Sequence, residues 1–273
     1  MAYTKEETDR FADVNGIRLH YNEAGSGPAL ICTHGGGPGA NAWDNTRHCL
    51  EPLAQHFRTI LLDLPGFGES AKDVKLGDTP MDFFCAKLMR DLMDQLSIDK
   101  AHMYGSSAFS PSSLRFGLEY PDRCGKIVIQ AYAPGEHGVQ TEGLKSLGVF
   151  ANDPTRENME RMVQFFTPRE DLRPQSFVDA RFKAATIPGH LEGRAEMRST
   201  KNSDIAKDIG RLKTQVLVVW GNEDGMIPVE GALDALKLIP NVRACIWGDR
   251  SGHFVAYEHP QEFAQLLIGF LEN

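Results

Sequence analysis

Four times along this chain an apolar, β-rich run stops at a turn that carries reactive or glycine-rich residues. Ala29–Thr33 (ALICT) runs into His34-Gly35-Gly36-Gly37-Pro38-Gly39, and Ala101–Tyr104 runs into Gly105-Ser106-Ser107-Ala108. Gln215–Trp220 precedes Gly221-Asn222-Glu223-Asp224, and Arg243–Trp247 precedes Gly252-His253. Ile17–Tyr21, Thr59–Leu62 and Lys126–Gln130 also read as strands. Helical patterns lie between these runs. Asp82–Leu96 sets Phe83, Leu88, Leu92 and Leu96 near one face, Ser110–Tyr120 is stopped by Pro121, and Pro260–Leu271 closes the chain. The alternation predicts an α/β fold in which a mostly parallel central sheet is flanked by helices.

One stretch breaks the alternation. Residues from about 138 to 210 hold helical pieces such as Asp153–Phe166 and no convincing strand. The expected organisation is an α/β core of 1–137 and 211–273 with an inserted helical cap of 138–210 over the active-site mouth. A chain of 273 residues is long enough to bury a sizeable core.

The net charge of -8 counts against nucleic acid or an anionic membrane as the main partner. The five cysteines are widely spaced, odd in number and without a C-x-x-C pair, so neither a zinc ribbon nor a disulfide framework is indicated. That usage fits a reducing cytoplasm. The polar start MAYTKEETDRFADVNG lacks the apolar core of a signal peptide, and no later apolar run reaches spanning length. The expectation is a cytoplasmic protein acting on a small molecule.

Ser107 sits where a strand gives way to a helix, the setting of a nucleophile elbow of the form G-x-S-x-G. Gly105 and Ser107 match that form, and Phe109 replaces the final glycine. Two serines before a helix are more often an N-cap, but the rest of the chain reverses those odds. The order serine, acid, histidine, each at a strand end, is that of the α/β-hydrolase fold. A serine hydroxyl is a poor nucleophile. His253 is needed to take its proton, and Asp224 to hold the imidazole in the right tautomer. Glu223 competes for the acid role, while Asp63, at another strand end, is expected to hold its own loop together. The glycine turn supplies the remaining part. A backbone N–H from Gly36 or Gly37, with that of Ala108, can meet a developing oxyanion. The turn lacks the Lys-Ser/Thr of a phosphate-binding P-loop.

In HGGGPGANAWDN, LEYPDRCGKIVI, Thr155–Met162 and HFVAYEHPQEF, the sequence resembles the meta-cleavage product hydrolases across nearly the whole chain. These are α/β-hydrolases that cut carbon–carbon bonds in ring-opened aromatic catabolites. The resemblance implies a substrate of the 2-hydroxy-6-oxohexa-2,4-dienoate type, ketonised and then cleaved by hydrolysis. It implies no metal or organic cofactor, and a homodimer or higher oligomer. By position, Asn45 and Arg181 would hold the substrate carboxylate and enol oxygen, and the planar fork of arginine suits a carboxylate. The chain departs from the family at Ser106 (usually asparagine), at Phe109 and Ser110 (usually glycines) and at Phe254 (usually tryptophan). Phe109 must either enter the core or intrude on the pocket, and a reshaped substrate site is the expectation. The other readings open at this point are a carboxylesterase or lactonase on the same fold, a cofactor-free dioxygenase or lyase using the His253–Asp224 dyad, and a binding protein with a degenerate elbow.

Overall fold

The computed structural model describes residues 3–134, 140–200, 203–248 and 250–273. Eight strands form one sheet in the order β1-β2-β4-β3-β5-β6-β7-β8. They are β1 (Asp9–Val14), β2 (Ile17–Ala24), β3 (Ala29–Thr33), β4 (Arg58–Asp63), β5 (Ala101–Ser106), β6 (Cys124–Gln130), β7 (Val216–Gly221) and β8 (Val242–Trp247). The pairs from β4 through β8 are parallel, and β2 is antiparallel to both of its neighbours. This is the mostly parallel sheet expected, with one strand more at its edge. The extra strand, β1, exposes half of its residues, so its sequence DRFADV carries little apolar signal.

The inner strands are buried on both faces, and successive residues feed two different cores. Ile31, Ile60, Met103, Ile127, Ile129 and Val218 face one layer, built on α3 (Met81–Gln95), α4 (Ser110–Glu119) and α9 (Glu230–Leu238). Leu30, Cys32, Leu61, Tyr104, Val128 and Val219 face the other. That layer is built on α2 (Ala42–Ala54), α10 (Val255–Glu258) and α11 (Pro260–Glu272). A short α1 (Lys5–Thr8) precedes the sheet.

Between β6 and β7 the described residues hold four α-helices and no strand: α5 (Glu142–Asn152), α6 (Arg156–Val163), α7 (Gln175–Ala185) and α8 (His190–Met197). Their apolar faces make a third cluster, including Phe150, Met159, Met162 and Val178, which Met226 and Phe254 join from the sheet side. This is the helical stretch expected from the sequence, although the boundary drawn between 137 and 138 lies outside the described residues.

Candidate active site

The elbow is built by the close approach of α4 to β5. A Cβ on Gly105 would lie 2.6 Å from Ser113 Oγ and 2.8 Å from Ser110 Cα, so only glycine fits there. Ser107 follows with φ 51°, a left-handed conformation that non-glycine residues adopt at a cost of order 1–3 kcal/mol. Strain of this kind at the start of a helix is what lifts a nucleophile out of the sheet.

Phe109 has φ −103°, open to any residue, and so the missing glycine is not required by the backbone. Its side chain is 1% exposed and packs edge-on against Phe67 and His34, with ring centroids 5.4 and 5.3 Å away. Phe109 therefore enters the core and does not line the cavity, which corrects the expectation that it reshapes the substrate site directly. Ser106 is likewise buried behind the elbow, off the cavity wall, with its Oγ 3.5 Å from Gln130 Nε2. Phe109→Gly is expected to cost at least ~3 kcal/mol of stability, as for other large core aromatics. The order of substrate preference should stay as it is. Urea unfolding and a substrate series would check the two parts.

His253 and Asp224 meet as expected. His253 Nδ1 lies 2.8 Å from Asp224 Oδ2, and both side chains are almost fully buried. The other carboxylate oxygen accepts the N–H groups of Met226 (2.8 Å) and Ile227 (2.9 Å), which orients it. Glu223 is exposed, and it is Asp224 that meets the histidine. The histidine backbone is pinned at both ends. Its N–H donates to Phe166 O (2.7 Å), and its carbonyl accepts from Gln130 Nε2 (2.7 Å). Glu258 braces the preceding turn by accepting from Gly252 N (2.7 Å) and Ser251 Oγ (3.1 Å), and burial pushes its carboxyl pKa up. Asp63 holds its own loop, bonded to His20, Ala42 N–H and Glu69 N–H.

Ser107, Ala108, His253, Phe254, Asn45 and Arg181 line one cavity of about 370 Å³, together with Gly36 and Gly37. Among the described residues no direct hydrogen bond joins Ser107 to His253; they share the cavity wall. The glycine loop lies against the elbow, so that a Cβ on Gly36 would sit 2.7 Å from that of Ala108. Among the described residues the N–H groups of Gly36 and Gly37 have no hydrogen-bond partner, which leaves them available to an oxyanion. Their carbonyls are engaged. Gly36 O accepts from Arg194 Nε (2.8 Å) and Gly37 O from Ala40 N–H (3.1 Å).

Arg181 is 6% exposed, and burial pushes its pKa down to about 10. Its guanidinium stacks 4.6 Å from the Phe166 ring, and its Nε is buried without a hydrogen-bond partner among the described residues. An unpaired buried cation facing a cavity is costly alone and well placed for an anion. Asn45 reaches the same wall from α2.

The sequence reasoning passed over Phe166, Gln130, Glu258, Arg194, Arg198, Thr200 and His190. Phe166 stacks on Phe254 with centroids 4.5 Å apart, and Arg198 and Thr200 line the cavity. His190 Nε2 accepts the Gly39 N–H at 2.9 Å, which requires a neutral ring. Burial, then the charges of Lys72 and Arg194, push its pKa from 6.5 down to about 3. The folded protein thus binds fewer protons than the unfolded chain in that interval. The stability His190 contributes is complete above about pH 6.5 and is lost as pH falls toward about 3. The urea midpoint should drop across this window. His190→Gln, which keeps an acceptor but cannot protonate, should flatten part of the drop.

Residues 28–260 match the family described as the alpha/beta hydrolase fold. A 2-hydroxy-6-oxo-6-phenylhexa-2,4-dienoate hydrolase of Burkholderia cepacia is 32% identical, over 99% of this chain and 98% of the relative. A 2-hydroxy-6-oxononadienedioate/2-hydroxy-6-oxononatrienedioate hydrolase of Escherichia coli K12 is also 32% identical, over 98% and 97%. Among solved structures, a mutant meta-cleavage product hydrolase from Pseudomonas fluorescens IP01, complexed with acetates, superposes with a TM-score of 0.88 at 26% identity, covering 98% of this chain and 99% of that one. Similarity over nearly the whole length of each protein shows that the chain belongs to the α/β-hydrolase fold family and, within it, to the meta-cleavage product hydrolases.

Proposed function

We propose that this hydrolase cleaves the carbon–carbon bond beside the 6-oxo group of a 2-hydroxy-6-oxohexa-2,4-dienoate formed by ring opening of an aromatic compound. The observation that carries the reading is Arg181, a buried arginine without a carboxylate partner among the described residues, on the wall of the cavity that also exposes Ser107 and His253. A simple ester needs no such cation; a dienoate carboxylate does.

In this reading the helices between β6 and β7 are a cap, and Arg181 and Asn45 hold the carboxylate and the 2-hydroxyl oxygen. His253 moves the hydroxyl proton toward C5, which gives the 2,6-diketone. Ser107, or a water activated by His253, then adds to C6, and the N–H groups of Gly36 or Gly37 and of Ala108 receive the oxyanion. Collapse of the tetrahedral adduct breaks C5–C6. The electron pair passes into the 2-oxo system as 2-hydroxypenta-2,4-dienoate, and the acyl half leaves as a carboxylic acid after taking up water. Asp224 keeps the imidazole in the tautomer each transfer needs. Five free cysteines suit a reducing compartment such as the cytoplasm.

The phenyl- and dienedioate-acting relatives are equally identical to this chain, so similarity alone does not choose the group on C6. Coloured dienols supplied to the purified enzyme should lose their visible absorbance, releasing acid and hydroxypentadienoate in equal amounts. Fast turnover of p-nitrophenyl esters with no bleaching of any dienol would move the assignment to a carboxylesterase.

A further inference from the structure

Two side chains of α8 grip the backbone of the glycine loop. His190 and Arg194 stand four residues apart, so they share one face of the helix, and both are buried. His190 Nε2 accepts the Gly39 N–H at 2.9 Å, and Arg194 Nε donates to the Gly36 carbonyl at 2.8 Å. The first grip is neutral, but the second brings a charge. Arg194 is 7% exposed, lies off the cavity wall and meets no carboxylate among the described residues. Burial, then the charges of Arg198 and Arg181, push its pKa down to about 10, so it stays cationic at neutral pH. A glutamine could satisfy the same carbonyl without the cost of burying a cation.

The Gly36 carbonyl belongs to the same peptide as the Gly37 N–H. In a trans peptide these two groups point in opposite directions, and no described peptide bond is cis. The carbonyl turns to Arg194, off the cavity wall. The N–H therefore points away from Arg194, toward the cavity that Gly36 and Gly37 line, and has no partner among the described residues. Glycine on both sides leaves this peptide plane free to turn over, which would put a carbonyl where an oxyanion forms. Arg194 opposes that turn. Its charge also draws electron density onto the carbonyl oxygen, which makes the N–H a stronger donor to an anion.

We propose that Arg194 is a positioning residue for the hydrolytic step. It fixes and polarises the Gly36–Gly37 peptide, so that the Gly37 N–H joins that of Ala108 in receiving the oxyanion on C6. The inference rests on the reaction given above only in needing an oxyanion beside Ser107.

Two substitutions separate the hydrogen bond from the charge. Arg194→Gln sets an uncharged donor the same number of bonds from the backbone as the arginine Nε, and Arg194→Met removes the donor as well. Release of the acid should fall about tenfold in kcat for the first. For the second it should fall about a hundredfold, the scale of losing an oxyanion donor. KM should change little, because the contact matters only once C6 becomes tetrahedral. Ketonisation leaves C6 trigonal, so the dienol colour should fade at a rate far closer to that of the wild type. An arginine that merely braced the helices would slow both phases alike or raise KM. Either result overturns the proposal, as does an unchanged kcat in Arg194→Met. Thermal protection by phenylboronate gives a readout independent of turnover. The Ser107 oxygen adds to boron, its proton passes to His253, and the adduct is a tetrahedral anion. Protection should weaken from wild type to Arg194→Gln to Arg194→Met. If no dienol is consumed but this order holds, the proposed reaction fails and the role of Arg194 stands. Equal protection of all three proteins overturns it.

Discussion

Replacing His253 with alanine is expected to lower kcat about ten-thousandfold, the scale of loss when a catalytic triad is disabled. The melting temperature should change little. The imidazole acts in both halves of the proposed reaction, ketonisation and hydrolysis, so the variant should stall with the dienol still coloured. Ser107→Ala should lose comparable overall turnover but stall later. Serine enters only after ketonisation, so the colour of the bound dienol should fade without release of the acid. Stopped-flow absorbance with product analysis separates the two patterns. Full activity in Ser107→Ala would instead assign the chemistry to the His253–Asp224 dyad alone.

Arg181→Met should lower kcat/KM by about a hundred- to a thousandfold, the usual consequence of removing one partner from a buried charge pair. Stability should hold or rise, because the unliganded protein loses a buried cation that no carboxylate pairs with among the described residues. The combination is diagnostic, since a structural arginine would lose stability along with activity. Arg181→Lys should not restore the rate, because an ammonium lacks the planar fork and fits poorly between Gly37 and the Phe166 ring. Kinetics on a dienol and urea unfolding of the same samples would read both effects.

The strands that carry the site were legible because they are central and buried on both faces, so ALICT and VLVVW are continuous apolar runs. Ser107 and Asp224 were legible because each follows a buried central strand, and His253 because it follows the strand signal of the edge strand β8. The parts that escaped did so for physical reasons. β1 is a half-exposed edge with weak patterning, and α2 contains Pro52, which reads as a break although the helix continues past it. Phe109 looked like an intrusion because a motif gives the residue type but not the direction of its side chain. Its backbone dihedrals and the space beside Phe67 decide that direction. Arg194, Arg198 and Thr200 carry no motif. Only the folding of α8 over the glycine loop brings them to the site, and that contact spans more than 150 residues.

The carbonyl of Phe166 has one more consequence. It accepts the amides of both His253 (2.7 Å) and Phe254 (3.2 Å), so the proposed general base is tethered to the helical segment between β6 and β7. Were substrate admitted by lifting that segment, the histidine would slacken with it and tighten again as the segment seats. Opening and proton transfer would then exclude one another in time, and catalysis would be confined to intervals when bulk water is shut out. Hydrogen exchange at the two amides should accordingly track opening of the helices rather than unfolding of the sheet.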